Sequence, residues 1–244
     1  MRKVLCALLC LVILTGCGKT NDETAETSCR VVNLYNYEKP AVKDTAVEES
    51  FFDDALFAGD SRMGALDLYG SFGNAEIAYS TSVNLLRLDS MPVDGREDET
   101  LWSVLESTEK GSVYLLLGIN EIRTENKEPY LEAYEEVVTM LKENNPDVDV
   151  YMILEYMPRE IVGLETEEMK VKVAEMNEGL KDIASRNLCF MLDLDTVLAG
   201  EDGLLKTEYS SDGLHLNSDG AAVVKEYIMT HVVREETYVK EVCE

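Results

Sequence analysis

From about residue 51 onward, short apolar runs alternate with longer amphipathic segments. Such alternation is typical of a parallel sheet whose strands are joined by helices. The apolar runs predict strands at 55–59, 76–79, 112–118, 148–155 and 187–192. The amphipathic segments predict helices at 62–70, 98–107, 129–144, 165–186 and 218–233. The pattern therefore predicts one α/β domain built on a parallel five-stranded sheet.

Polar turns follow the first three predicted strands. Ser61 ends the string Gly-Asp-Ser after the first strand, a polar turn at 80–84 follows the second, and Asn120 ends the string Gly-Ile-Asn after the third. The carboxyl ends of parallel strands lie at one edge of the sheet, so these turns should meet there. Asp212 and His215 lie in the loop between the fifth strand and the last helix and can reach the same edge.

These residue types suit nucleophilic catalysis. A serine hydroxyl attacks a carbonyl only when a base takes its proton. The chain has two histidines, and His231 lies near the end of the last predicted helix, away from the polar turns, which leaves His215 as the base. The i, i+3 spacing lets Asp212 orient the imidazole. The backbone N–H of Ser61 and the side-chain amide of Asn120 can donate to an oxyanion.

Each signal also has a purely structural interpretation. Serine after Gly-Asp is a common helix N-cap. An asparagine in a loop often bonds its own backbone, and Asp-Gly is a common turn. The occurrence of all three signals in order, each at a strand end or in a loop that can reach that edge, favours the catalytic interpretation.

The strings GDS at 59–61, GIN at 118–120 and DGLH at 212–215 resemble the first, third and fifth sequence blocks of the GDSL, or SGNH, serine hydrolases. The blocks span roughly residues 52–233. The resemblance implies a flavodoxin-like three-layer α/β/α sandwich, the SGNH hydrolase fold. It also implies an esterase that needs no metal and no cofactor.

The same resemblance assigns roles to individual residues. It implies that Ser61 is the nucleophile, Asp212 the orienting acid and His215 the base, with Ser61 and Asn120 as oxyanion donors. The second block of the family supplies a glycine N–H as a further donor, but residues 79–84 contain no glycine. Ser82 is the best substitute, because a backbone N–H survives a change of side chain.

Three other features near these motifs carry predictions. Glu121 follows Asn120 where the family usually has aspartate, a change expected to alter loop packing or substrate choice. Arg62 is predicted either to contact an acidic substrate or, as the favoured alternative, to pair with surface acids. Residues 155–159 are placed to wall the cleft, and Asp193 and Asp195 to cap a loop.

The N-terminus carries an export signal. Arg2 and Lys3 precede an apolar stretch at 4–14 that is too short to span a bilayer as a helix. The string Leu-Thr-Gly-Cys at 14–17 resembles the lipobox of bacterial lipoproteins, in which the cysteine becomes lipid-modified. The expected organisation is a signal peptide at 1–16, a polar tether at 17–50 beginning with lipidated Cys17, and a hydrolase domain at 51–244. A plain signal peptide with an incidental cysteine is the alternative.

Charge and cysteine content limit the partners and the compartment. A formal net charge of −26 makes nucleic acid and anionic lipid surfaces poor partners. Cys189 lies in an apolar run and is predicted to be a buried small hydrophobe. Cys29 and Cys243 flank the domain and could form a disulfide in an oxidising compartment.

The sequence thus predicts an exported, lipid-anchored serine esterase at the extracytoplasmic face of the membrane. Its expected substrate is a small acyl ester or an acylated glycan, with acetyl as the favoured acyl group. Two alternatives remain at this point. One is an O-acyltransferase that uses the same site, and the other is a non-catalytic surface lipoprotein that binds a glycan or a protein partner.

Overall fold

A computed structural model describes residues 29–70 and 72–243. Its strands are β1 Cys29–Asn33, β2 Ala55–Gly59, β3 Glu76–Tyr79, β4 Pro92–Val93, β5 Arg96–Thr100, β6 Ser112–Leu116, β7 Asp149–Ile153, β8 Phe190–Leu192 and β9 Val239–Cys243. Its α-helices are α1 Met63–Tyr69, α2 Leu101–Ser107, α3 Glu128–Asn144, α4 Thr166–Arg186, α5 Asp195–Leu198, α6 Ser218–Thr230 and α7 Glu235–Tyr238.

The centre of the fold is a five-stranded sheet in the order β3-β2-β6-β7-β8, with every pair parallel. From β2 the chain first adds β3 on one side and then β6 on the other. The carboxyl ends of β2 and β6 therefore form the switch point where ligands bind in open α/β sheets. The predicted α/β class and five-stranded parallel sheet are confirmed.

Helices cover both faces of the sheet. Along β6, Val113 and Leu115 face a core that includes buried residues of α2, α3 and α4, whereas Tyr114 and Leu116 face a core that includes those of α1, α5 and α6. Both faces are buried, so the strands read as continuous apolar runs. This arrangement is the predicted three-layer sandwich.

Several predicted boundaries move for local reasons. β6 ends at Leu116 rather than at residue 118, and Gly118 follows at a φ of 132°, a conformation that breaks the ladder. α2 begins at Leu101 because Thr100 and Ser103 form a capping box, and the residues before it form β5. Residues 187–189 close the end of α4 rather than starting β8, since the Cys189 N–H donates to the Ala184 carbonyl.

Residues 29–50 differ from the predicted tether. β1 pairs with β9 in antiparallel fashion, and the N–H of buried Ala41 donates to the Met191 carbonyl at 2.8 Å. Tyr35 and Tyr37 pack against Phe190, with ring centroids 5.0 and 5.7 Å apart. Apolar burial thus makes this segment part of the domain. The predicted signal peptide, Cys17 and the rest of the tether before residue 29 lie outside the described residues.

The terminal ribbon places Cys29 opposite Cys243 in the strand register. Directly opposed residues in antiparallel strands have Cα atoms about 4.5–5.5 Å apart, a span that a disulfide can bridge. In an oxidising compartment we expect these two cysteines to form a disulfide. Peptide mapping without reductant should then recover their peptides joined, while buried Cys189 provides a free-thiol reference. Recovery of Cys29 and Cys243 as free thiols would contradict the prediction.

Candidate active site

The turn after β2 holds Ser61 in a fixed position. A Cβ added to Gly59 would lie 2.5 Å from the Leu116 carbonyl oxygen, so only glycine lets β2 and β6 approach this closely here. The Asp60 N–H donates to the same carbonyl at 3.0 Å, and the Met63 N–H closes the turn on the Asp60 carbonyl at 2.9 Å. Ser61 therefore lies at the switch point, between the end of β2 and the start of α1.

Ser61, His215 and Asp212 form a continuous hydrogen-bonded chain. Ser61 Oγ lies 2.8 Å from His215 Nε2, and His215 Nδ1 lies 2.7 Å from Asp212 Oδ2. A carboxylate accepts only, so Nδ1 carries the proton and the Ser61 hydroxyl donates to Nε2. The structure thus brings together three residues that the sequence places up to 154 positions apart.

Asp212 is fixed from its other oxygen. Oδ1 accepts the backbone N–H groups of Leu214 at 2.9 Å and His215 at 2.8 Å, and the Ser210 hydroxyl at 3.1 Å. Burial alone would raise the pKa of Asp212, but the hydrogen bonds from His215 and from the backbone hold that pKa well below its usual range. The carboxylate therefore stays ionised and can stabilise an imidazolium.

The predicted oxyanion donors lie on adjoining turns. Asn120 Nδ2 donates one hydrogen to the Val83 carbonyl at 2.9 Å, which leaves its second hydrogen available. Val83 follows Ser82, so this bond ties the turns after β3 and β6 together. In the part of the chain that the structure describes, the backbone N–H groups of Ser61 and Ser82 donate to no protein acceptor.

Ser82 has the backbone conformation of a glycine. Its φ is 59°, in the left-handed region that favours glycine over residues with a side chain. Ser82→Gly is therefore expected to raise stability by roughly 1 kcal/mol and to keep the activity, since it supplies the same N–H. Thermal melts and kcat on a short-chain ester test this. A large loss of kcat would show that the Ser82 hydroxyl, rather than its N–H, contributes to the reaction.

Glu121 connects the turns after β3 and β6 through its buried side chain. Its side chain is buried, and Oε1 accepts the Leu85 N–H at 3.1 Å. Oε2 has no hydrogen-bond partner among the described residues. Burial raises the pKa of Glu121 to about 7, and the charges of Asp60 and Glu155 add to that rise. The departure from the family's usual aspartate thus places a protonatable carboxyl beside Asn120.

This burial makes stability depend on pH. The pKa of Glu121 in the folded chain lies above its unfolded value near 4.5, so unfolding releases a proton between these values and stability falls as pH rises through this window. Glu121→Gln keeps an acceptor for the Leu85 N–H and should stabilise the chain at pH 8 by up to about 3 kcal/mol. Melting temperatures from pH 4.5 to 8 measure this. Exposed Glu132→Gln is the control and should keep the pH dependence of the wild-type melting temperature. The same pH dependence in Glu121→Gln as in the wild type would contradict the prediction.

The remaining predicted residues have structural contacts. Arg62 is buried and pairs with the buried acids Asp60 and Glu155, which corrects the expectation of surface partners. His231 caps α6 and bonds the Tyr227 carbonyl at 2.7 Å. The Asp195 carboxylate accepts the Met157 N–H at 2.8 Å.

Residues 155–159 pack against the loop that carries the acid and base. The Arg159 N–H donates to the Gly213 carbonyl at 2.7 Å, and Gly213, at a φ of 82°, leaves room for Arg159 Cβ.

Within residues 29–70 and 72–243, no group of three or more histidine, cysteine, aspartate or glutamate side chains is arranged to hold a metal. None of the helices within these ranges combines the length and the hydrophobicity that a membrane-spanning segment requires.

The model of the GDSL-like lipase/acylhydrolase family matches residues 72–223, more than half of the chain. The chain belongs to this family. It is accordingly an ester-hydrolysing enzyme, as the sequence predicts. The match begins after Ser61, so the assignment of the nucleophile rests on the GDS string and on the distances around it. No match was found among curated proteins.

Two solved structures share the fold. A GDSL-like lipase from Bacteroides thetaiotaomicron superposes with a TM-score of 0.56 at 13% identity, over 71% of this chain and 84% of that one. An acetyl xylan esterase, AlAXEase, superposes with a TM-score of 0.53 at 15% identity, over 73% of this chain and 99% of that one. At these identities the likeness concerns the fold.

Proposed function

We propose that this acylhydrolase is an exported, lipid-anchored serine esterase that removes short acyl groups, with acetyl favoured, from a glycan or another small ester. The observation that carries the proposal is the hydrogen-bonded chain from Ser61 through His215 to Asp212, with segments of 2.8 and 2.7 Å. The first distance lets His215 take the proton of the Ser61 hydroxyl, and the second lets Asp212 orient the imidazole and stabilise the imidazolium that forms.

The proposed reaction has two halves. Ser61 Oγ attacks the ester carbonyl while His215 Nε2 takes its proton. The N–H groups of Ser61 and Ser82 and the amide of Asn120 then stabilise the oxyanion. His215 returns the proton to the leaving alcohol, which leaves an acyl group on Ser61. Water, deprotonated by His215, attacks this acyl-enzyme. His215 then returns the proton to Ser61 Oγ as the acyl–oxygen bond breaks, which releases the carboxylic acid and regenerates the enzyme.

The exposure of the acid and base supports a hydrophilic alcohol. The side chains of His215 and Asp212 are 41% and 52% exposed, so the edge of the site that they form opens to solvent. His215 must protonate the leaving alcohol, so that alcohol lies on this open side and can belong to a large, hydrated sugar. An acetyl xylan esterase shares the fold, which makes acetylated xylan the first polysaccharide to test.

A chain-length series tests the substrate. We expect kcat/KM on p-nitrophenyl esters to be highest for acetyl and to fall with longer acyl chains, and acetate to be released from acetylated xylo-oligosaccharides. Ser61→Ala is the matched control. Strong hydrolysis of long-chain esters without deacetylation of sugars would contradict the proposal. Transfer of the acetyl group to an added sugar in preference to water would identify an acyltransferase instead.

The proposed anchor is the lipid on Cys17. It rests on the lipobox-like string at 14–17 and on the charged and apolar segments before it. Acyl chains on Cys17 would hold the domain at the extracytoplasmic face. Expressed with its leader, the protein should partition into detergent, and Cys17→Ala should not. Equal partitioning of both into water would argue against lipidation.

A further inference from the structure

A buried cluster of charged side chains lies beneath the turn that carries Ser61. The Arg62 guanidinium forms a fork with Asp60, through Nε to Oδ1 at 2.9 Å and Nη2 to Oδ2 at 2.7 Å. Its other edge faces Glu155, with Nη2 to Oε1 at 3.0 Å and Nη1 to Oε2 at 2.6 Å. All three side chains are fully buried. Burying three charges costs free energy, and apolar side chains in their place often give a protein of equal stability. The cluster is therefore better explained by the positions that it imposes on the surrounding loops than by a contribution to stability.

Glu155 extends the cluster to the oxyanion turn. Its backbone N–H and carbonyl both bond the side chain of Asn177 on α4 at 2.8 Å, which fixes its position. Gly118 has a φ of 132°, and a Cβ built there would lie 3.0 Å from Glu155 Oε1. The carboxylate thus packs against the backbone two residues before Asn120.

Tyr156 extends the cluster to the loop of the acid and base. The Arg62 guanidinium carbon lies 5.1 Å from the centroid of the Tyr156 ring. The Tyr156 hydroxyl donates to the Leu214 carbonyl at 2.6 Å, and Leu214 directly precedes His215. The contacts of one guanidinium therefore lead to all three catalytic loops.

We infer that Arg62 is a positioning residue that sets the relative placement of Ser61, Asn120 and His215. This inference rests on the proposed esterase function. Arg62 is too deeply buried to touch substrate, so it acts through Asp60 beside the nucleophile, Glu155 against the oxyanion turn, and Tyr156 behind the base. A planar fork fits this task because it binds two carboxylates in fixed directions, which the single ammonium of lysine does not.

Steady-state kinetics of Arg62 variants test the inference. In Arg62→Met we expect kcat to fall about 100-fold, because small misplacements of catalytic groups cost this much, while KM changes by less than about twofold. Arg62→Lys should recover only part of kcat. Arg96→Met is the matched control, since Arg96 also pairs with two acids, Glu76 and Glu99, but at the start of β3, away from the site. Its kcat should stay at the wild-type value.

A neutral cluster separates positioning from folding. Arg62→Met alone leaves two buried carboxylates unpaired and is expected to unfold at a lower temperature. The triple variant Asp60→Asn, Arg62→Met, Glu155→Gln removes that charge. In the wild type, Asp60 Oδ1 accepts the backbone N–H of residue 62 at 3.0 Å, and the amide oxygen of Asn at position 60 can accept the same N–H. We expect its melting temperature to recover while kcat stays low. Recovery of the wild-type kcat in the folded triple variant would overturn the inference.

A readout without substrate keeps the two proposals apart. The Nδ1 proton of His215, bonded to Asp212, should give a downfield proton resonance that is sharp in the wild type and in Ser61→Ala. In the triple variant we expect this resonance to broaden or disappear. If the wild type hydrolyses no ester, the proposed function is wrong, and the resonance still tests the positioning role. A sharp, unshifted resonance in the triple variant would refute that role.

Discussion

Ser61→Ala is expected to lower kcat on short-chain esters by about 10⁴- to 10⁶-fold, because no other group can replace the attacking oxygen. Ser61 is half-buried, and the atom removed is the one that bonds His215 Nε2. Removing it should leave the melting temperature nearly unchanged. Initial rates on p-nitrophenyl acetate, with active-site titration of the wild type, measure the effect.

Ser107→Ala is the matched control for this variant. The Ser107 hydroxyl bonds the Ser103 carbonyl at the end of α2, at the opposite edge of the sheet. Its kcat should equal that of the wild type. Turnover in Ser61→Ala within tenfold of the wild type would show that another group attacks the ester.

Asp212→Asn is expected to lower kcat by about 10²- to 10⁴-fold with little change in KM, because it favours the wrong histidine tautomer. The amide oxygen can still accept the N–H groups of Leu214 and His215, so the loop keeps its shape. The amide NH₂ then faces His215 Nδ1 and must donate to it. That places the imidazole proton on Nε2, where it opposes the Ser61 hydroxyl.

The pH dependence of this variant gives a second measurement. In Asp212→Asn the imidazole offers no acceptor to the Ser61 hydroxyl, so hydroxide must take the Ser61 proton instead, and the residual rate should rise with pH. Asp182→Asn, an exposed substitution on α4, is the control for loss of a carboxylate and should behave as the wild type. Full activity in Asp212→Asn would show that the carboxylate only shapes the loop.

The sequence predicts the sheet and the site because both follow from local signals and one topological rule. The bounds of β2 and β3 match the apolar runs at 55–59 and 76–79, since each run is flanked by polar turns. Ser61 and His215 can be placed together without a structure because both lie at the carboxyl edge of parallel strands.

What the sequence does not reveal depends on partners far away in the chain. Residues 29–50 are polar overall, but a few aromatic and apolar side chains fix the segment against Phe190 and α6. The sequence predicts an exposed Arg62 because arginine is usually exposed. Its buried partner Glu155 lies 93 positions later and is recognisable only once β2 and β7 are known to share a sheet. The backbone of Ser82 is an exception. The family's second block has a glycine that residues 79–84 lack, and this absence drew attention to Ser82 before its positive φ was known.

Detection of an acyl group on Ser61 tests its role as the nucleophile most directly. The wild type is mixed with p-nitrophenyl acetate, quenched in acid within milliseconds to seconds, digested and analysed by mass spectrometry. We expect acetylation of the peptide that contains Ser61, transient in the wild type and absent in Ser61→Ala. Acetate release without an acetylated Ser61 peptide at any time, or with the acetyl group on another residue in both proteins, would contradict it.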